Sequence, residues 1–223
     1  MIMERLICLA VGYVCGLFQT AYFIGRMYHT DIRKHGSGNA GTTNALRTFG
    51  RKAGILTLLG DCLKCVLAMT IVRLVFRSSC GDILPLLSMY AAAGCILGHN
   101  FPFYLNFKGG KGIAATAGLI LSFHPSFIPV GVIIFFGIFL TTHYVSLGSL
   151  LVYLGFMIQL VVSGQMGILG NMSQANLLEM YGIGLLLAGL AYYKHWDNIK
   201  RLASGTERKT FLFKKKDVSV AEK

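Results

Sequence analysis

The sequence predicts an all-α membrane protein, a polytopic bundle of seven transmembrane helices in a single membrane domain spanning residues 1–223. First, 54% of its 223 residues are hydrophobic and only 13% are charged, which is too little polar surface to cover a water-soluble globule. Second, apolar runs of about twenty residues recur, the length that a helix needs to cross a bilayer. Third, runs such as GVIIFFGIFL at residues 131–140 do not alternate as the strands of a membrane β-barrel would.

The apolar runs define the predicted helices in chain order. In the first, Arg5 precedes an apolar stretch that is too long for the apolar core of a signal peptide and lacks a clear cleavage site, so we expect it to remain a helix. The second carries Asp61 and Lys64 on one face, interpreted as an ion pair that fixes helix packing, with a functional pair as the alternative. The fourth is the shortest. The seven segments are predicted at residues 4–25, 53–76, 82–99, 111–124, 126–143, 145–163 and 177–194.

Basic residues predict the orientation of the bundle. The chain has 21 Lys and Arg against nine Asp and Glu, a formal net charge of +12. The Lys and Arg residues concentrate between the first two predicted helices, between the third and fourth, and after the seventh. Because loops rich in Lys and Arg stay in the cytoplasm, the N-terminus is predicted outside and the C-terminus cytoplasmic.

Residues 195–223 are predicted to form a cytoplasmic C-terminal segment with a basic tail. The run FKKKD at 213–217 suits an anionic lipid surface. It lacks the ordered basic and aromatic surface of a nucleic-acid-binding protein, so no nucleic-acid partner is expected.

The stretch HGSGNAGTTN at residues 35–44 matches the dinucleotide fingerprint G-x-G-x-x-G. That fingerprint requires a preceding strand and a following helix. Here a predicted membrane helix and the basic turn GRMYHTDIRK precede it, so the match is not interpreted as a dinucleotide-binding site. Its small residues still leave backbone N–H groups open to an anion, and Arg47 adds positive charge. A plain turn is the alternative for this loop taken alone.

A second glycine-rich loop, GHNFPFYLNFKGGKG at residues 98–112, places glycines beside Lys108 and Lys111. It is not a nucleotide-binding P-loop, because Leu105 stands where that motif needs Gly and Gly112 where it needs Ser or Thr. The loop therefore predicts a phosphate cradle and not an ATPase. A flexible helix start with lysines on the cytoplasmic side is the alternative.

Two further connections on the predicted cytoplasmic side carry candidate polar residues. Ser146 in THYVSLGS offers a hydroxyl, although a lone Ser at a helix start is commonly a cap. His195 and Asn198 are three residues apart and share a face if their stretch is helical. An interfacial polar position is the alternative for the histidine.

Five stretches together carry a resemblance to a known family. They are, in chain order, SGNAGTTNALR, GDCLK, GHNFPFYLNFKGGKGIAAT, YVSLGS and HWDNIKRLASGTE. Across nearly the whole chain the sequence resembles the bacterial membrane glycerol-3-phosphate acyltransferases that use acyl phosphate, the PlsY family. The resemblance implies transfer of a fatty acyl group from acyl phosphate to the sn-1 hydroxyl of glycerol 3-phosphate. The products are lysophosphatidic acid and phosphate, in the first step of phospholipid synthesis at the cytoplasmic face of the bacterial inner membrane.

The resemblance also implies site residues. The catalytic set is Ser37, Lys108, His195 and Asn198. Glycerol phosphate and the reacting oxygens would be bound by Ser37, Arg47, Lys108, Ser146, His195 and Asn198. The donor phosphate would be held by Asn39, Gly41, Thr43, Asn44, Gly109, Gly110, Lys111 and Gly112.

Within these sets, Lys108 and Arg47 are expected to clamp phosphate, while Ser37 and His195 position the attacking hydroxyl. Whether His195 removes the proton is left open. Acyl phosphate is already activated, so orientation and charge stabilisation can provide much of the rate, and no metal or cofactor is expected. The expected partners are glycerol 3-phosphate, acyl phosphate and membrane lipids.

Some features depart from the family pattern or allow another function. Trp196 stands where the pattern expects Arg, and the outer connection SGQMGILGNMSQAN at 163–176 is longer than the fold requires. The alternative function is a transporter or channel for phosphate-containing anions, since basic loops also line such pathways. The helix centres hold few polar groups for such a route. An acyl-CoA-dependent enzyme is disfavoured because no histidine is followed by Asp five residues later.

Overall fold

The computed structural model describes residues 2–211, and in that range the chain contains helices and no strand. The α-helices are α1 (Ile2–Gly16), α2 (Thr20–Met27), α3 (Thr42–Phe49), α4 (Arg51–Phe76), α5 (Leu84–Asn100), α6 (Ile113–Phe123), α7 (Phe127–Thr142), α8 (Val145–Gln165), α9 (Gln174–Lys194) and α10 (Trp196–Ala203). Three short 3₁₀ helices lie at Ile32–Lys34, Gly81–Ile83 and Phe103–Leu105. The predicted basic tail at 213–217 lies outside the described residues.

Every predicted apolar segment contains a helix, and the protein is an all-helical integral membrane protein. Within residues 2–211, five helical segments are long and apolar enough to cross a bilayer: Ile2–Met27, Arg51–Phe76, Gly81–Leu105, Val145–Gln165 and Gln174–Lys194. Helices α6 and α7 are apolar but shorter, with 11 and 16 residues. Eleven helical residues extend only about 16 Å, roughly half of the hydrocarbon thickness. The seven-span count and the sides of the termini therefore stay predictions.

The first predicted segment is broken between α1 and α2, a feature that the hydropathy pattern does not reveal. Side chains from elsewhere satisfy the carbonyl groups around the break. Tyr104 donates to the carbonyl of Leu17 at 2.6 Å, and Lys64 donates to that of Phe18 at 2.7 Å. Gln19 donates to carbonyls in the last turn of α5. Irregular backbone is tolerated in an apolar environment when the protein supplies its hydrogen bonds in this way.

Helices α1 and α5 pack closely because small residues face one another. A Cβ atom added at Gly12 would lie 2.0 Å from the carbonyl oxygen of Ala91, and one added at Gly94 would lie 2.0 Å from that of Leu9. Contacts of this kind let two backbones approach directly, as is common between membrane helices. The pair forms the central support of the bundle.

The predicted ion pair within the second apolar segment is confirmed. Lys64 Nζ lies 2.9 Å from Asp61 Oδ1, and both side chains are buried. Asp61 also accepts from Thr20 of α2 at 3.0 Å, and Lys64 Nζ lies 2.8 Å from His99 Nδ1 of α5. The pair thus joins α2, α4 and α5, and His99 is a partner that the sequence analysis did not identify.

Four connections meet at one end of the bundle, called the site end below. The loop from α2 to α3 reaches the loop from α5 to α6 through a hydrogen bond of 3.0 Å from Arg33 to the carbonyl of Leu105. That second loop reaches α10 through a hydrogen bond between Lys111 and Asn198. The segment after α10 binds the turn between α7 and α8, where the Thr210 amide donates to a carbonyl at 2.9 Å.

At the opposite end, called the far end below, charged groups bind one another or helix termini. The guanidinium of Arg5 lies 2.5 Å from the carboxylate of Glu179, which also accepts from Tyr90 at 2.6 Å. Arg73 donates to the last carbonyls of α6, including that of Phe123 at 2.8 Å. These contacts tie α1, α5 and α9 together and cap α6.

Candidate active site

A cavity of about 650 Å³ lies at the site end. Its walls come from α3 and the preceding loop, the start of α6, α7, α8 and the region from the end of α9 to residue 208. Eleven of the residues predicted from the sequence line it: Ser37, Asn39, Gly41, Thr43, Asn44, Arg47, Lys111, Gly112, Ser146, His195 and Asn198. The structure therefore brings stretches that are distant in the chain to one compartment.

Glu207 organises one wall of this cavity. Its carboxylate accepts hydrogen bonds from Ser146 at 2.9 Å, from Asn198 at 2.6 Å and from Arg201 at 2.7 Å. Burial alone would raise the pKa of Glu207, but the hydrogen bonds from Asn198, Arg201 and Ser146 hold that pKa below its usual value. The carboxylate is therefore ionised at neutral pH and fixes α8 relative to α10.

Lys111 extends this network from the glycine-rich loop. Its ammonium donates to the side-chain oxygen of Asn198, whose amide nitrogen donates to Glu207. The two contacts set the orientation of the Asn198 amide. Burial, followed by the nearby charge of Arg201, lowers the pKa of Lys111 to about 8. The lysine is mostly charged at neutral pH and loses its charge only in mildly alkaline solution.

His195 is buried in the cavity wall, and one of its ring nitrogens is hydrogen-bonded to the backbone. Nδ1 lies 2.8 Å from the carbonyl oxygen of Ala191, which can only accept, so Nδ1 carries the proton and donates. The other nitrogen, Nε2, is then the acceptor. Burial and the charge of Lys111 lower the pKa of His195 to about 4, so the ring is neutral at pH 7.

The loop before α3 is shaped by Asn44. Its side-chain oxygen accepts from the Ser37 amide at 2.9 Å, and its nitrogen donates to the carbonyls of His35 and Ile32. Gly36 adopts a left-handed φ of 61°, and a Cβ atom there would lie 2.2 Å from the Asn44 side chain. Asn44 was predicted to hold phosphate directly, whereas the structure commits its amide to the loop. The hydrogen bonds of Asn44 therefore fix the shape of the loop backbone.

Two helices begin at the cavity. Helix α3 starts at Thr42 after Gly41, and α6 starts at Ile113 after Gly112, and no side chain caps either start. All four of these residues line the cavity, and the hydroxyl of Thr42 is buried with no protein partner. Open N–H groups and the positive end of the helix dipole make such starts suitable for phosphate.

Three predicted residues, Lys108, Gly109 and Gly110, do not lie on the cavity wall. The two glycines are needed for packing: a Cβ atom would lie 2.0 Å from the His99 carbonyl at Gly109 and 2.1 Å from the His99 ring at Gly110. Lys108 is exposed on the loop. Close packing against His99 therefore explains why both positions are glycine, without direct phosphate contact.

A segment at residues 204–211, called the strap below, crosses the site end. Arg47 donates to the Thr210 hydroxyl at 2.7 Å, and the Thr210 amide donates to the carbonyl of His143. The strap also carries Glu207. Arg47, predicted as a phosphate clamp, therefore holds this segment in the present structure while it lines the cavity.

The deeper part of the cavity is an apolar slot between α6 and α7, bordered by α4. Its walls include Leu58, Leu121, Val132 and Phe136. These four side chains are 43–47% exposed. The slot is therefore apolar and accessible, and it is continuous with the polar cavity.

Several residues of the cavity wall were not identified from the sequence. They include Asp61, His99, Lys194, Arg201 and Glu207. Glu207 is the one with a recognisable signal, because it is an isolated acid in a basic segment and was part of the SGTE stretch that carried the resemblance. Within residues 2–211, no group of three or more His, Cys, Asp or Glu could hold a metal ion.

The family model for glycerol-3-phosphate acyltransferase matches residues 6–205. The chain belongs to this family. Glycerol-3-phosphate acyltransferases similar to it include one from Clostridioides difficile (strain 630), 37% identical over 211 residues, covering 93% of this chain and 96% of the relative. Another, from Geobacter sulfurreducens, is 36% identical over 207 residues and covers 93% and 98%.

Solved structures of a family member share this fold. The glycerol 3-phosphate form of PlsY (YgiH), an integral membrane glycerol 3-phosphate acyltransferase, has a TM-score of 0.78 and 29% identity, covering 93% of this chain and 96% of that one. Its lysophosphatidic acid form has a TM-score of 0.76 and 28% identity, covering 93% and 95%.

Proposed function

We propose that the protein transfers a fatty acyl group from acyl phosphate to the sn-1 hydroxyl of glycerol 3-phosphate, giving lysophosphatidic acid and phosphate. The observation that carries the proposal is the continuity of a basic cavity, into which two helix starts point, with an accessible apolar slot. Such a compartment suits a soluble phosphate ester together with a phosphate that bears a lipid tail. The glycerol 3-phosphate and lysophosphatidic acid forms of PlsY support the same pair of ligands.

The acceptor is assigned to the wall organised by Glu207. Ser146 and Asn198 both donate to one carboxylate, and Arg47 lines the same cavity. A phosphate ester would be bound by Arg47, whose planar guanidinium can pair with two phosphate oxygens. Its hydroxyl would be oriented by Ser37 and His195.

The donor phosphate is assigned to the two helix starts. The backbone N–H groups at Thr42, Thr43 and Ile113 and the charge of Lys111 would hold its oxygens. Lys108 lies outside the cavity wall, and from there its charge would also bind the phosphate. Loss of transfer in Lys108→Ala with the fold retained would support that role, and full activity at saturating substrates would remove it.

In the proposed reaction the acceptor oxygen attacks the carbonyl carbon of acyl phosphate. A carbon–oxygen ester bond forms, and the bond between the carbonyl carbon and the bridging phosphate oxygen breaks. Because the pKa of His195 is about 4, its ring is a weak base at neutral pH, so Nε2 orients the hydroxyl and the proton leaves with the phosphate. Fixed donors around the carbonyl oxygen would stabilise its developing charge.

The site end is proposed to face the cytoplasm of a bacterial cell, with the N-terminus outside and seven membrane spans. The basic loops at the site end support this orientation. Both substrates would then reach the cavity without crossing the membrane. The alternative, a transporter for phosphate-containing anions, has less support because the slot that enters the hydrocarbon region is lined by apolar side chains.

The direct test is an assay of the purified full chain with glycerol 3-phosphate and either acyl phosphate or acyl-CoA, with products identified by mass spectrometry. We expect lysophosphatidic acid and phosphate from acyl phosphate only. His195→Ala should be inactive, whereas Trp196→Ala, at an exposed neighbouring residue outside the cavity, should remain active. Product from acyl-CoA alone, or no product from either donor, would refute the proposal.

A further inference from the structure

We infer that Lys64 and His99 are positioning residues for the donor phosphate, because together they hold the loop that leads to Lys111 and the start of α6. The inference rests on the proposed acyltransferase function and extends its site to two buried side chains that take no part in the proposed reaction steps. Lys64 lies on α4, and His99 lies in the last turn of α5. Both are buried, with exposures of 6% and 2%.

The ammonium group of Lys64 is fully hydrogen-bonded. It donates to the Asp61 carboxylate at 2.9 Å and to the Phe18 carbonyl at 2.7 Å, and it lies 2.8 Å from Nδ1 of His99. An ammonium group has three N–H bonds, so each contact uses one of them. Lys64 lies in a helix apolar enough to cross a bilayer, where a charged group is costly and commonly serves a function. Asp61 neutralises the charge and Phe18 lies at the helix break, whereas the bond to His99 leads to the site.

The bond from Lys64 fixes the imidazole ring of His99. Because an ammonium group can only donate, Nδ1 of His99 is the acceptor and Nε2 carries the proton. The Nε2 edge of the ring packs against Gly110, where an added Cβ atom would overlap Nε2 and Cε1. The ring is therefore held between a charged group on α4 and the backbone of the glycine-rich loop.

The backbone at the end of α5 holds the same loop. The Gly110 amide donates to the His99 carbonyl at 3.1 Å, and the Gly109 amide donates to the Asn100 carbonyl at 3.2 Å. Gln19, beside the break between α1 and α2, donates to the same His99 carbonyl at 3.0 Å. His99 thus contacts Gly110 with both its ring and its carbonyl, so the orientation of His99 determines where residue 110 lies.

Gly110 directly precedes the groups assigned to the donor phosphate. Lys111 follows it and donates to Asn198, and α6 begins at Ile113 after Gly112, at the cavity. Consecutive Cα atoms are about 3.8 Å apart, so a displacement of Gly110 is passed on to Lys111 and to the start of α6. A misplacement of about 1 Å in groups that position a substrate can cost about 100-fold in rate. The buried cluster around Lys64 therefore sets the geometry of the phosphate site.

The experiment measures two KM values on the purified full chain, for palmitoyl phosphate with glycerol 3-phosphate saturating and for glycerol 3-phosphate with palmitoyl phosphate saturating. His99→Phe keeps a planar ring but removes the acceptor for Lys64. We expect KM for palmitoyl phosphate to rise by about 10-fold, and by more than KM for glycerol 3-phosphate. His99→Asn should restore most of the wild-type value, because its side-chain oxygen can accept from Lys64 in place of Nδ1.

Thr20→Val is the matched control from the same buried cluster. The Thr20 hydroxyl donates to Asp61 at 3.0 Å, and its loss leaves the bond between Lys64 and His99 in place. This variant should unfold at a lower temperature in detergent, while both KM values stay within about two-fold of wild type. A purely structural role of His99 would likewise reduce stability or the amount of active protein, which changes the apparent kcat and leaves KM unchanged.

Unchanged KM values in folded His99→Phe would overturn the inference, as would equal increases in both KM values or an equal defect in His99→Asn. If His99→Phe does not fold, Asp61→Asn combined with Lys64→Met removes the same bond to His99 without leaving an unpaired charge. The same increase in KM for palmitoyl phosphate is expected there, and its absence would overturn the inference. A wild-type protein that forms no product with acyl phosphate would instead refute the proposed function, so the two failures are distinguishable.

Discussion

The two ends of the bundle use charged residues in opposite ways. At the far end, Arg5 and Glu179 bind one another with Tyr90, and Arg73 caps a helix. At the site end, Glu207 gathers several donors, yet the cavity wall still carries more basic than acidic groups: Arg47, Lys111, Lys194, Arg201 and Arg208 against Asp61, Asp197 and Glu207. Charge that is neutralised locally stabilises a fold, whereas charge left in excess around a cavity attracts an anion.

Removing one carboxylate at the site end should have the largest effect. In Glu207→Ala, Ser146 and Asn198 lose their shared acceptor, and we expect kcat/KM to fall by about 100-fold or more, since small misplacements of positioning groups cost rates of this order. Steady-state kinetics on folded protein measures the loss. A variant that keeps wild-type kinetics would show that the network does not position the substrates.

Arg47 should show the next largest effect. Arg47→Lys keeps the charge but loses the planar pair of donors, and we expect KM for glycerol 3-phosphate to rise by about 10-fold, since a hydrogen bond between charged groups contributes about 1.5–3 kcal/mol. Arg26→Lys, at an exposed arginine outside the cavity, is the control. If both variants change KM equally, the effect does not depend on the position of Arg47 in the cavity.

The pH profile should show a smaller, continuous change. Lys111, with a pKa of about 8, is positive below that pH and neutral above it, so kcat/KM should fall as pH rises through 8, by up to about 10-fold per unit. His195, with a pKa of about 4, stays neutral from pH 6 to 9 and adds no step there. Lys111→Arg should move the alkaline limb upwards; a limb that stays at pH 8 would exclude Lys111 as its source.

The smallest effect on activity is expected from the matched change at the far end. Glu179→Ala removes one partner of Arg5 and one of Tyr90, and we expect a loss of about 1–3 kcal/mol of stability with kinetics within about two-fold of wild type. Thermal unfolding in detergent and the acyl transfer assay measure the two quantities. A large loss of kcat in the folded variant would contradict the separation of roles between the ends.

The apolar helices and eleven of the cavity residues could be predicted from the sequence because their signals are local. Apolar length identifies the long helices but not the polar helices α3 and α10, and the spacing of His195 and Asn198 suggests a shared face. The break between α1 and α2 could not be predicted, because its carbonyls are satisfied by Tyr104 and Lys64, which are distant in the chain. Whether an apolar run bends depends on such partners.

The individual roles within the site were harder to predict than its location. Asn44 and Gly110 lie in glycine-rich loops that suggest phosphate contact, but the structure uses one to order its loop and the other to pack against His99. Glu207 escaped assignment because its importance comes from three donors on two helices, α8 and α10, that meet only in the folded structure. Composition reveals a basic region, but the pairing within it requires the tertiary structure.

The position of the strap has a consequence for biosynthesis. Glu207 and Thr210 follow the last long helix, α9, whereas the helices that they join at the site end precede them in the chain. During translation, those helices can enter the membrane before these residues have left the ribosome. The membrane-embedded core can therefore assemble first, and the wall that Glu207 organises is completed afterwards.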